Sequence, residues 1–271
     1  WRSWRICRER IVMITSTGNG KVKQVINLMK KAKERRESGL FIAEGLRICR
    51  EIPRERIDSV YVSQTFLKEE GNRRLAEQLS AYEVSDGVFK AMSDTQTPQG
   101  ILAVVRQYTY KVEDLLKNGE PPLLMILETL QDPGNLGTII RAGEGAGVTG
   151  ILMNDSCADI YSPKVIRSTM GSVYRMPFAI VPDLKEALLQ LKKKGVSLYA
   201  AHLSGQNNYE AEDYRKSTGF LIGNEGNGLT EETASLADAY IKIPMKGHVE
   251  SLNAAVAASV LMFEAARQRR N

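Results

Sequence analysis

At 271 residues the chain is long enough for about two domains of roughly 150 residues each, and its 43% hydrophobic and 25% charged residues exclude a disordered protein. No apolar run approaches the roughly 18 residues that a membrane span requires, so a transmembrane protein is excluded as well. The net charge of +5 is unevenly placed, with 15 Lys and Arg against 6 Asp and Glu in residues 1–56 and 22 against 26 in the remainder. That asymmetry points to a polyanion-facing N-terminal part carried by a near-neutral body.

Residues 1–19 are expected to form a tail outside the fold. The Arg-rich residues 1–12 lack the apolar stretch of a secretion signal, and Met13-Ile14-Thr15-Ser16 offers a natural start. From Val22 the apolar positions Val22, Val25, Ile26, Met29 and Ala32 predict one basic amphipathic helix that runs to a stop at Gly39. A strand at Leu40–Ala43, a helix at Leu46–Glu51 and a strand at Ser59–Val62 follow. A helical stretch from Thr65 to Ser80, a strand at Tyr82–Val84, a helix from Gly87 and a strand at Ile101–Val105 complete a small α/β domain over residues 20–107. Residues 108–121, ending at Pro121 before Pro122, read as a linker.

The second domain, residues 122–271, restarts with the continuous apolar strand Leu123–Leu127, the kind buried on both faces of a parallel sheet. Further strands are expected at 150–154, 177–181, 196–201, 219–222 and 240–244, with a last helix from about Ser251 to Arg267. Cys7, Cys49 and Cys157 form no CxxC, and His202 and His248 stand 46 positions apart, which argues against a zinc site or a disulfide framework. Free thiols without a secretion signal indicate a reducing compartment, the cytoplasm.

Three loops carry the chemistry, each directly after a strand, where open parallel sheets bind ligands. The first, Glu128–Arg141, holds the turn Asp132-Pro133-Gly134, then Asn135 as an expected helix cap, then Arg141 six residues on. The second, Gly223-Asn224-Glu225-Gly226-Asn227-Gly228, has three glycines in six positions, a backbone expected to approach a ligand and present amides to it, and a carboxylate in the middle. It is neither a dinucleotide fingerprint nor a P-loop, since no Lys-Ser or Lys-Thr follows. The third runs from Ile243-Pro244-Met245 to Ser251-Leu252-Asn253, with Ser251 the expected cap of an Ala-rich core helix and Asn253 in its first turn. A GxGxG at Gly143–Gly147 follows a helix rather than a strand, so it reads as close packing at a helix end and not as a cofactor loop.

In order and spacing these loops resemble the three motifs of the SPOUT superfamily, in its SpoU or TrmH branch of RNA ribose 2′-O-methyltransferases. The matching residues are Asn135-x-Gly137-x-x-x-Arg141, Gly223-Asn224-Glu225-Gly226-x-Gly228 and Ile243-Pro244-Met245 leading to Ser251-Leu252-Asn253. The likeness covers residues 122–270, and residues 20–107 resemble the ribosomal-protein-like substrate-binding domain often fused ahead of it. Leu136, where the family often has Glu or Asn, and Ala254-Ala255, where Val-Ser is usual, depart from the pattern.

The resemblance implies a largely parallel sheet with a C-terminal trefoil knot, a homodimer, an RNA substrate (rRNA before tRNA) and no metal. It implies an S-adenosylmethionine site at Gly223, Ile243 and Leu252, with Leu203 in the loop His202-Leu203-Ser204 as a further wall. It assigns Arg141 to activating the ribose hydroxyl or holding the neighbouring phosphate. Asn135, Glu225, Ser251 and Asn253 would orient Arg141 and the ribose. By charge alone, Lys30, Lys31, Lys33, Arg35 and Arg36 are the candidate RNA-binding residues. A tRNA ribose or base-nitrogen methyltransferase, and a non-catalytic RNA-binding or ribosome-assembly factor, stay open at this point.

Overall fold

The computed structural model describes residues 13–116, 119–203 and 205–270. The Arg-rich residues 1–12 with Cys7, and Ser204 of the expected cofactor wall, lie outside the described residues. The chain divides into two compact units, one reaching Gln107 and including Tyr161–Pro163, the other made of Tyr108–Ile160 and Lys164–Asn271.

The first unit is built from α1 (Gly20–Lys30), α2 (Ala32–Ser38), β1 (Leu40–Glu44), α3 (Leu46–Arg50), β2 (Ile57–Ser63), α4 (Glu70–Gln78), β3 (Tyr82–Val84), α5 (Asp86–Met92) and β4 (Ile101–Arg106). Its sheet runs β1-β4-β2-β3, with β4 antiparallel to both neighbours and β3 parallel to β2. Strand alternation divides the core: Leu102 and Val104 meet Val22, Val25 and Leu28 of α1 and Phe89 of α5, whereas Ala103 and Val105 face the other side. There α3 packs against β1 and β4.

Three expectations need correction here. The single helix predicted from Val22 to Gly39 breaks at Lys31, which is extended at φ −118° and ψ 114°. The break is stabilised by Arg35, 5% exposed, whose guanidinium donates to the carbonyls of Leu28 (2.6 Å) and Met29 (3.3 Å) at the open end of α1. The stretch Thr65–Ser80 is a short 3-10 turn at Phe66–Lys68, an extended Glu69, and only then α4. Ile14, assigned to the tail, bridges β3: its amide donates to Glu83 O at 2.9 Å and its carbonyl accepts from Ser85 N at 3.0 Å.

The second unit contains β5 (Leu123–Leu127), α6 (Pro133–Ala146), β6 (Gly150–Asn154), α7 (Pro163–Thr169), β7 (Phe178–Val181), α8 (Leu184–Lys193), β8 (Ser197–Ala201), β9 (Asn207–Asn208), β10 (Thr218–Ile222), α9 (Glu231–Ala234), β11 (Ala239–Lys242) and α10 (Ala254–Arg269). Seven strands in the order β7-β6-β5-β10-β8-β11-β9 form a parallel sheet, as the apolar run of β5 requires. All five β5 side chains are fully buried, each contributing about 1.5–3 kcal/mol for a residue of Leu or Ile size. The Gly143–Gly147 stretch is a packed helix end: a Cβ at Gly143 would meet Val148, Met176 and Met262 at 3.3–3.4 Å, and Gly147 terminates α6 at φ +80°. No helix among the described residues is long and apolar enough to cross a membrane.

Candidate active site

The loops after β5 and β10 and the segment before α10 converge at the C-terminal edge of the parallel sheet. Asn135 joins all three. Its Nδ2 donates to Glu225 Oε1 at 3.1 Å, and its Oδ1 accepts from Asn253 Nδ2 at 3.0 Å. Asn135 is free for this because it does not cap α6. Asp132 takes that place and accepts the Asn135 amide at 2.7 Å. Likewise Ser251 is not the cap of α10. Asn253 is, accepting from the amides of Ala255 (2.9 Å) and Val256 (3.3 Å) through Oδ1, while Ser251 stays exposed in the preceding loop.

Glu225 also accepts from the amides of Asp132 (2.9 Å) and Gln131 (3.2 Å). Partial burial works against its charged form, but the Asn135 amide group and these backbone donors outweigh it and hold the carboxyl below its ordinary value. It is therefore an anion at neutral pH, an acceptor that clamps the first loop.

The glycine-rich loop is braced by hydrogen bonds within itself. Asn224 and Gly228 exchange both backbone hydrogen bonds, and Asn224 Oδ1 accepts from the amides of Gly226 (2.9 Å) and Asn227 (3.1 Å). Gly223 is dictated by this closure, since a Cβ there would lie 2.1 Å from the Gly228 carbonyl carbon.

Several positions that the sequence did not single out hold the arrangement. Glu128, 7% exposed, accepts from the Thr230 amide (2.7 Å), Thr230 Oγ1 (2.8 Å) and Thr233 Oγ1, fixing the chain just beyond the glycine-rich loop. Thr129 adopts φ +53°, unusual for a β-branched residue. It is held there by Asn154, which accepts its amide at 2.8 Å, and by Asn224 Nδ2, which donates to its carbonyl at 3.0 Å. An acidic residue ending a buried strand was the only available signal for Glu128.

Beside the cluster lies a cavity of about 930 Å³. Gly223, Ile243, Leu252 and Leu203 all line it, as do Glu225, Ser251 and Asn253 and the motif residue Met245; Glu250 is a lining residue that the sequence did not single out. From Met245 to Leu252 no backbone amide donates a hydrogen bond among the described residues. Of that stretch Met245, Glu250, Ser251 and Leu252 line the cavity and bring such open amides to it. Apolar walls with unpaired amides suit a ligand that has a flat apolar ring system and polar edges, such as adenosine.

Arg141 stands apart. It is exposed on α6, forms no hydrogen bond or ion pair among the described residues, and does not line the cavity. Burial pushes the Cys157 thiol up to about 11, which disfavours the thiolate a nucleophile requires. Of the five cationic candidates in the first unit, Lys30, Lys31, Lys33 and Arg36 are exposed. Arg35 is not available, being buried against the end of α1.

Residues 122–263 match the SpoU rRNA Methylase family and residues 19–103 match the MRM3-like substrate binding domain. An uncharacterised tRNA/rRNA methyltransferase of Synechocystis is 34% identical over 96% of this chain and 95% of its own length. The 23S rRNA (guanosine(2553)-2′-O)-methyltransferase RlmP of Bacillus subtilis is 31% identical over 92% of this chain and 97% of its own. Among solved structures, the SpoU methyltransferase AviRb of Streptomyces viridochromogenes in complex with AdoMet superimposes with a TM-score of 0.83 at 26% identity, covering 93% of this chain and 99% of that one.

Proposed function

From the premise that the chain belongs to the SpoU rRNA methylase family, we propose that it transfers a methyl group from S-adenosylmethionine to a ribose 2′-hydroxyl of ribosomal RNA. The observation that carries this reading is the bonded set Glu225–Asn135–Asn253 at the edge of the 930 Å³ cavity. The RlmP and AviRb likenesses support both the rRNA substrate and the cofactor.

The residues present fit that cofactor. Ile243, Leu252 and Leu203 supply apolar walls, and the unpaired amides of the third loop supply donors for its polar edges. When bound, it provides an electrophilic methyl group on a sulfonium sulfur. The protein's task is then to hold a ribose oxygen in line and to stabilise the charge that develops as its proton leaves. Asn135 and Asn253 orient the acceptor, Glu225 locks them, and Ser251 offers a hydroxyl at the cavity edge. Arg141 acts by electrostatic stabilisation and phosphate positioning, for which the planar donor fork of a guanidinium is suited.

Because Arg141 lies outside its own cavity, the active unit is a homodimer in which this residue reaches the partner's site. The apolar stripe of α10, with Val256 49% and Phe263 50% exposed, supports such an interface beside α6. A threaded, knotted C-terminal segment and a cytoplasmic location complete the reading. Mapping of ribose methylation across total RNA from cells with and without the gene is expected to show one 23S rRNA 2′-O-methyl site lost. An unchanged map would contradict the proposal.

A further inference from the structure

A second cavity, of about 560 Å³, lies in the first unit and takes no part in the methyl-transfer site. Phe66, 4% exposed, and Leu46 give it an apolar floor. Arg47 and Arg50 of α3, Glu69 and Asn72 at the start of α4, and Gln99 supply polar walls.

The groove is held from beneath. The buried carboxylate of Glu44 accepts from Ser93 Oγ, Thr95 Oγ1 (2.9 Å) and the Asp94 amide (3.3 Å), which fixes the 93–99 loop against β1. Gln99 Oε1 then accepts the Leu46 amide at 2.8 Å, tying that loop to α3. The same bond leaves Gln99 Nε2 with no partner among the described residues. Asn72 Nδ2 donates to Glu69 Oε2 at 3.2 Å, so Asn72 Oδ1 and Glu69 Oε1 remain open acceptors. Arg47 makes only an exposed 3.8 Å pair with Glu51, and Arg50 makes no ion pair among the described residues.

Charge and shape narrow what such a groove takes. Two arginines face Glu51 and Glu69, so the groove has no net positive charge and does not suit a run of phosphates, which requires uncompensated Lys and Arg. Guanidinium planes and an apolar floor with donors and acceptors around it match one unstacked base, the form in which single-stranded RNA is read. Lys30 at the end of α1 and Lys31 just after it are exposed and carry the charge that suits the backbone.

We propose that the α3/α4 groove binds one unpaired nucleobase of the RNA substrate, stacked on Arg47 or Arg50 and read along its edge by Glu69, Asn72 and Gln99. The proposal rests on the RNA reading given above and adds to it a sequence-reading site in the first unit.

Filter binding of the full chain to a 23S rRNA transcript over a salt series tests it, with calorimetry of S-adenosylmethionine binding on the same samples. Asn72→Ala, and the similarly sized uncharged Asn72→Leu, are expected to weaken RNA binding about tenfold with the salt slope and cofactor affinity unchanged, because edge contacts and not phosphates are lost. Lys30→Ala with Lys31→Ala is expected to lower the salt slope by about two, the signature of phosphate contacts. Wild-type affinity in both Asn72 variants would overturn the groove proposal while leaving the RNA reading intact. A wild-type chain that binds S-adenosylmethionine but not the transcript would overturn the rRNA reading and the groove with it.

Discussion

Two regions beside the same cavity are built in opposite ways. The loops after β5 and β10 are cross-linked through Glu128, Asn135, Asn224 and Glu225, with partners about a hundred positions apart in the chain. The segment from Met245 to Leu252 has no backbone donor engaged among the described residues. The first is preorganised, so its groups can orient an acceptor without being ordered during the reaction. The second keeps its hydrogen-bonding capacity for what enters the cavity.

Arg141 belongs to neither wall, and removing it separates chemistry from binding most sharply. Arg141→Ala is expected to lower methyl transfer by about a thousandfold while leaving S-adenosylmethionine affinity within about twofold, as measured by single-turnover assay and calorimetry. Equal activity would remove Arg141 from the mechanism.

The cross-linked wall is tested next at Glu128. Glu128→Ala leaves the Thr230 amide and two hydroxyls without their acceptor and is expected to destabilise the chain by about 3 kcal/mol in denaturant unfolding. A loss under about 0.5 kcal/mol would mean that the wall is not held from beneath.

A smaller effect is expected from Glu225→Gln, about 1–2 kcal/mol at neutral pH. The Glu225 carboxyl lies below its ordinary value in the folded chain, so its stabilisation is complete above the unfolded value near 4.5 and is lost as pH falls through the lower folded value. The variant is expected to lose that part of the acid dependence. An unchanged acid limb would contradict the clamp.

The smallest change is expected at Thr129. Thr129→Gly relieves a positive φ but removes the hydroxyl that accepts from Asn154 Nδ2 at 3.0 Å and adds unfolded-chain entropy, so the effects offset and thermal unfolding shifts by under about 1 kcal/mol.

The strands were legible because burial writes itself into residue type. Leu123–Leu127 is apolar throughout, and the sheet places it near the centre. The motif residues were legible as a set, and the structure brings Asn135, Glu225 and Asn253 into contact. The identity of the caps was not. Asp132 and Asn135 are both good caps, and what decides between them is a carboxylate at position 225 that engages Asn135. The break at Lys31 depends on where the Arg35 guanidinium turns, and helical periodicity does not carry that information. For the same reason Arg35 read as a surface cation although it is buried. The glycine-rich loop lines the cavity, but that Asn224 engages its inner amides is not stated by its glycine content. Arg141 keeps motif spacing yet stands away from the cavity, since spacing along a helix does not state which way its exposed face turns.

The central claim is tested most directly by incubating the purified full chain with methyl-labelled S-adenosylmethionine and 23S rRNA, digesting the RNA to nucleosides and identifying the labelled product by mass spectrometry. A single 2′-O-methylnucleoside is the predicted product. Label on a base nitrogen, or no label from a chain that binds both partners, would contradict it.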